Sequence, residues 1–241
     1  MPNLPRQIIL SAVFVLLVAA PAAAYQLQTG IGFVAITDSV EGTEFVLEDA
    51  QHAEVGRDLA DRFGSLLFRD LVQGASYFVR ETGGATTPVT VRVFEDHPDQ
   101  SFYQGQTLVE GLQYIQMRDG TLVAAMVRPP LNGHITPGSQ FRTVIEYSGY
   151  AAADPNNPQA STLLASVLGY ATVGVNMRGS GCSGGVIDLF DYPTTADGYD
   201  IVEAVAAQPW VMEHQVGMVG ISFPGISQLF VAGAQPPHLA A

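Results

Sequence analysis

Val216-Gly217-Met218-Val219-Gly220-Ile221-Ser222-Phe223-Pro224-Gly225 (VGMVGISFPG) is the stretch on which the fold turns. Its first five residues predict a short buried strand, and an apolar helix is expected from about 224 to 233. Between them stands Gly220-Ile221-Ser222. A serine on a sharp strand-to-helix turn, with small residues where the two elements approach, is the setting of a nucleophile elbow. The helix N-terminus would then aim its free N–H groups and positive dipole end at Ser222. The fifth residue of the pattern is Pro224 rather than glycine, so the local match is incomplete. A serine that merely caps the helix suits the same position.

Working outward, the upstream pattern alternates strands and helices. Residues 112–117 and 122–127 are apolar runs flanking Arg118-Asp119-Gly120, a hairpin signal. A buried strand is expected at 143–147, a helix at 158–168 closed by Gly169, and a strand at 171–176. A further helix spans 195–208 and stops at Pro209, with Asp197 and Asp200 expected in its first turn, where acids suit the dipole. Hairpin, then strand–helix three times over, reads as an α/β sheet that becomes parallel. Gly179-Ser180-Gly181-Cys182-Ser183-Gly184 matches G-x-G-x-x-G, but 186–193 reads as a loop where a dinucleotide site needs a helix at once. Arg178 is expected to anchor this loop.

Residues 25–96 read differently: short apolar runs at 33–36, 44–47, 65–68, 75–80 and 88–93, spaced as in a small all-β sandwich. The stretch from Gly64 to Tyr77 resembles prealbumin-like accessory modules. Residues 97–110 are polar, contain Pro98, and read as a linker, or a segment crossing, to the α/β part at 111–241. At the start, Arg6, the apolar run Ile8–Ala20 and the small residues Ala22 and Ala24 read as a signal peptide over 1–24, cut after Ala24. The product is expected to be secreted or periplasmic, with no membrane span after cleavage. An uncleaved N-terminal anchor is the alternative.

Acids outnumber bases 23 to 10, a formal charge of −13, and all the bases are arginine. Lysine chemistry is thereby excluded, and nucleic acid is disfavoured as a partner. Cys182 is the only cysteine, which rules out an intrachain disulfide or a thiolate metal cluster.

Several ordered motifs now combine: "YIQMRDG" at 114–120 with "TLVAAMVRPP" after it, "LGYATVGVNMRGSGCSGG" at 168–185, "ADGYDIVEAVAAQPW" at 196–210, and "VGMVGISFPG". Together they resemble the cocaine-esterase and X-prolyl dipeptidyl-peptidase (CocE/NonD-type) α/β-hydrolases. The resemblance implies the N-terminal part of an α/β-hydrolase sheet, here preceded by the sandwich-like module. It implies a serine hydrolase acting on small esters, amides or X-Pro peptides through an acyl-enzyme, with Ser222 as nucleophile and no metal or organic cofactor. The oxyanion would be met by the Phe223 backbone N–H and the Tyr150 hydroxyl. Gly149 stands where the group usually has proline, and Tyr147 is a competitor expected inside its strand.

The group's triad runs serine, acid, histidine. After Ser222 come nineteen residues without Asp or Glu, and His238 is the only later histidine. The expectation is an N-terminal portion of the enzyme that is inactive by itself. His52, His97, His134 and His214 are expected on the surface or in loops. The rival reading is an exported, non-catalytic binding protein with a vestigial hydrolase half.

Overall fold

A computed structural model describes residues 25–241; the signal-peptide reading lies outside them. Strands β1 (Gln26–Gly30), β2 (Phe33–Thr37), β3 (Glu44–Glu48), β4 (Glu54–Leu59), β5 (Leu66–Phe68), β6 (Ser76–Glu81) and β7 (Thr86–Thr90) make the first unit. They form two antiparallel sheets, β1-β2-β5 and β4-β3-β6-β7. Alternate residues such as Val34, Ile36, Phe45, Leu47 and Val79 point inward and share one core. The sequence pattern missed β1 and β4. Both are edge strands, and their QLQTG and EVGRDL runs are too polar for an alternation to show.

Segment 97–110 crosses to the second unit and packs on it. It carries α1 (Gln100–Gln104), whose Tyr103 is fully buried and donates its hydroxyl to Asp200 at 2.8 Å. Leu108 is also buried; its N–H donates to the Gln208 side chain, and its carbonyl accepts from the Trp210 indole N–H. The Gln-Pro-Trp motif therefore clamps this crossing segment to the second unit.

That unit contains β8 (Gly111–Gln116), β9 (Leu122–Arg128), β10 (Phe141–Ser148), α2 (Ala160–Val167), β11 (Ala171–Asn176), α3 (Tyr192–Ala206), β12 (Val211–Met218) and α4 (Phe223–Gly233). The sheet order is β12-β10-β11-β9-β8. β10 pairs in parallel with both β11 and β12, and the β8–β9 hairpin joins antiparallel to β11. The chain crosses one way through α2 and returns past β10 through α3. Crossovers of one hand in opposite directions put helices on opposite faces. The helices that follow β10 and β12 leave to opposite faces, so the crevice beyond the carboxyl ends of these two adjacent strands is the natural site. Strand residues such as Ile145, Val173 and Val175 are fully buried in the main core, worth about 1.5–3 kcal/mol per side chain against exposure.

α3 starts three residues earlier than its sequence suggests. Asp191 caps it by accepting the Thr194 N–H at 2.8 Å, and Pro193 is tolerated in the first turn. Asp197 and Asp200 thus stand beyond the first turn, and the dipole does not explain them. With Glu203 they form an i, i+3, i+6 stripe with no solvent exposure. Asp197 accepts two bonds from Arg178, which also reaches Asp119 at 2.9 Å. Asp200 is chelated by Arg118 through its guanidinium and its backbone N–H. Glu203 meets the His238 ring at 2.7 Å and the Gln100 amide at 2.9 Å. Burial pushes the Asp197 carboxyl up to about 7 against the pull of Arg178. Four other segments, α1, the β8–β9 turn, the loop after β11 and the stretch around His238, are pinned to one helix by this stripe.

Candidate active site

Ser222 lies between β12 and α4, exposed, with φ 68° and ψ −121°. A positive φ is strained for a serine, costing about 1–3 kcal/mol, and persists only where the surroundings impose it. They do so here. A Cβ on Gly220 would come within 2.6 Å of the Pro224 backbone, so glycine is required at the start of the turn. Gly225 is less constrained: a Cβ there would approach the Gly220 carbonyl oxygen at 3.2 Å. Pro224 is buried at the start of the helix, where no N–H is needed. The Ser222 side chain makes no capping hydrogen bond. As first residue of α4, Phe223 has no intrahelical acceptor for its N–H.

Tyr150 follows β10 and is half exposed. Its N–H donates to the Ser148 hydroxyl at 3.0 Å, and its ring lies 5.7 Å from that of Phe223. The structure therefore brings Tyr150 beside the elbow. Tyr147 points elsewhere: it is buried, and its hydroxyl donates to the Thr194 carbonyl at 2.9 Å. A Cβ on Gly149 would meet the Phe223 ring at 2.9 Å and Ile187 at 3.4 Å, which accounts for the glycine at this position.

The loop after β11 folds back on itself. The Gly179 N–H bonds the Gly184 carbonyl, and the Gly184 N–H bonds Leu122. No helix opens at these glycines, so the dinucleotide pattern has no helix N-terminus to use. Arg178 is buried beneath the loop in its two carboxylate contacts, which outweigh burial and raise its guanidinium above its ordinary range.

The five histidines are all engaged away from the elbow. His238 bonds Glu203, and its carbonyl accepts the Val216 N–H, about 13 Å of strand before Gly220. His52 and His134 face Glu48 and Glu110 on the surface. His97 stacks on Tyr199, and His214 contacts the Ala206 carbonyl. Among the described residues, no group of three or more His, Cys, Asp or Glu is placed to hold a metal ion. No described helix is long and apolar enough to cross a membrane.

Two neighbours of the elbow escaped the sequence reading. Ile187 and Phe190, in the loop before α3, pack against Gly149 and Phe223. Nothing in a polar-flanked loop sequence marks them.

The family model of the X-Pro dipeptidyl-peptidase (S15 family) matches residues 119–241, just over half of the chain. The chain belongs to this family. Its second unit accordingly has the α/β-hydrolase fold, preceded by a β module. Among solved structures, a CocE/NonD family hydrolase from Staphylococcus aureus is similar at 18% identity and a TM-score of 0.47, covering 87% of this chain and 29% of that one. An alpha-amino acid ester hydrolase is similar at 18% identity and a TM-score of 0.43, covering 60% of this chain and 27% of that one. Est1E from Butyrivibrio proteoclasticus, solved with ferulic acid bound, is similar at 18% identity and a TM-score of 0.41, covering 53% and 49%. This S15-family chain spans less than a third of the length of the first two. No curated protein matches it.

Proposed function

We propose that the chain carries the nucleophile half of a serine hydrolase of the X-Pro dipeptidyl-peptidase and cocaine-esterase type. Ser222 Oγ attacks the carbonyl of a small ester, amide or X-Pro peptide. The alcohol or amine departs with a proton, and water then releases the acyl group. The Phe223 N–H and Tyr150 hydroxyl receive the charge that develops on the carbonyl oxygen. The carrying observation is the positive φ of Ser222 on a turn that only Gly220 permits, with no capping bond to occupy the hydroxyl. A cap serine needs neither feature.

Proton transfer from Ser222 needs a base, and the histidines of this chain are engaged elsewhere. By itself the chain is therefore expected to react slowly. Read as an export signal, the N-terminal apolar run supports a location outside the cytoplasm. The test is labelling by a fluorophosphonate, with imidazole added as external base. Slow labelling that imidazole accelerates, and that Ser222→Ala abolishes, is the expected result. A folded chain that stays unlabelled with imidazole, or labels equally as Ser222→Ala, refutes the proposal in favour of a non-catalytic binding protein.

A further inference from the structure

Residues 186–191, between β11 and α3, form a loop with two faces. On one face, Ile187 reaches Gly149, and its backbone lies so close to Gly179 that a Cβ there would fall 2.2 Å from the Ile187 nitrogen. Phe190, held at φ 58°, lies tilted at 5.2 Å against Phe223 and stacks at 4.4 Å on Phe230. Phe190 thus sits against Phe223, the residue after Ser222, and Ile187 against Gly149, the residue before Tyr150. On the other face, Val186 and Asp188 line a cavity of about 830 Å³ shared with β2 and β5 of the sandwich. Across it, Arg69 donates to Asp188 at 2.5 Å. A loop without regular structure, holding a phenylalanine at positive φ, needs support from outside itself.

We infer that residues 186–191 are the specificity-determining wall of the Ser222 site, and that Arg69 of the sandwich is the positioning residue that holds this wall through Asp188. The inference rests on the reading of Ser222 as nucleophile. The Ile187 and Phe190 face of the wall is apolar and borders Phe223, so it favours substrates whose group beside Ser222 is small over those carrying an aryl group there. The β module then acts on substrate choice without touching the reacting atoms.

The test uses two fluorophosphonates, one with methyl and one with phenyl on phosphorus, with imidazole as base. In each, the Ser222 Oγ–P bond forms, the P–F bond breaks, fluoride leaves, and imidazole takes the serine proton. Phe190→Ala is expected to raise the phenyl-to-methyl rate ratio by about three- to tenfold. Arg69→Met is expected to raise it about two- to fivefold, with amide exchange in 186–191 faster by a similar factor. The charge reversal Arg69→Asp with Asp188→Arg restores both readouts, which loss of packing alone would not do. An unchanged ratio in Phe190→Ala overturns the wall. Unchanged exchange in Arg69→Met, or no recovery in the reversal, overturns the tether alone. Absence of labelling in every variant overturns the nucleophile reading and the wall with it, while the exchange result still stands for the tether.

Discussion

Replacing Arg178 by methionine keeps most of the side-chain volume and removes the guanidinium that serves Asp197 and Asp119. Arg178 is 3% exposed, Asp197 0% and Asp119 7%, so the substitution strands two buried carboxylates. Breaking a buried pair from one side costs about 3–5 kcal/mol. Against a total stability of about 5–15 kcal/mol, this is a large share. At roughly 2–4 °C per kcal/mol for a domain of this size, Tm should fall by about 6–20 °C. Urea unfolding followed by Trp210 fluorescence reads the loss, because this sole tryptophan is buried and bonded to Leu108. The pH dependence has a definite sign. Burial already pushes the Asp197 carboxyl up to about 7 with Arg178 in place. The folded state thus binds that proton more tightly than the unfolded chain, and this group's contribution falls as pH rises from about 4 to 7. Without Arg178 the carboxyl moves higher still, so the variant's deficit is largest near pH 8 and shrinks toward pH 5. A deficit below about 1 kcal/mol at pH 8, or one that grows on acidification, refutes the argument.

Tyr150→Phe should slow imidazole-assisted labelling of Ser222 by about 10²-fold or more if its hydroxyl serves the oxyanion, with the urea midpoint unmoved; an unchanged rate removes Tyr150 from the site. Gly220→Ala drives a Cβ to within 2.6 Å of the Pro224 backbone and should cost about 3 kcal/mol, at the upper end of overpacking, in the same urea assay. Asp191→Ala removes the cap of α3 and should cost about 1 kcal/mol, read as a shift in Tm of a few degrees.

Much of the α/β part is legible from residue pattern. Strand 171–176 and the apolar helix after Ser222 show plainly, because a strand buried on both faces is a continuous apolar run and a glycine-flanked serine marks the turn. The polar edge strands β1 and β4 do not show, since their stability comes from pairing with neighbours rather than from their own side chains. The start of α3 does not show, because only the cap at Asp191 reveals that Pro193 sits in a first turn. Of the proposed site, Ser222, Phe223 and Tyr150 come from motif order, and the fold sets the Tyr150 and Phe223 rings side by side. Ile187 and Phe190 are not, because a loop side chain gains meaning only from what it touches.

The acidic stripe of α3 draws the same line. The sequence alone determines that a serine ends a strand and that a helix follows. It also supplies the order of motifs that places the chain among the S15-family hydrolases. Where Asp197, Asp200 and Glu203 point is decided by the tertiary structure. Three acids at helical spacing suit solvent as readily as a core, and only the arrival of Arg178, Arg118 and His238 from distant segments makes burial tolerable. The same holds at the elbow: the local sequence allows a helix cap, and the packing of Gly220 against Pro224 turns it into a strained, unbonded serine.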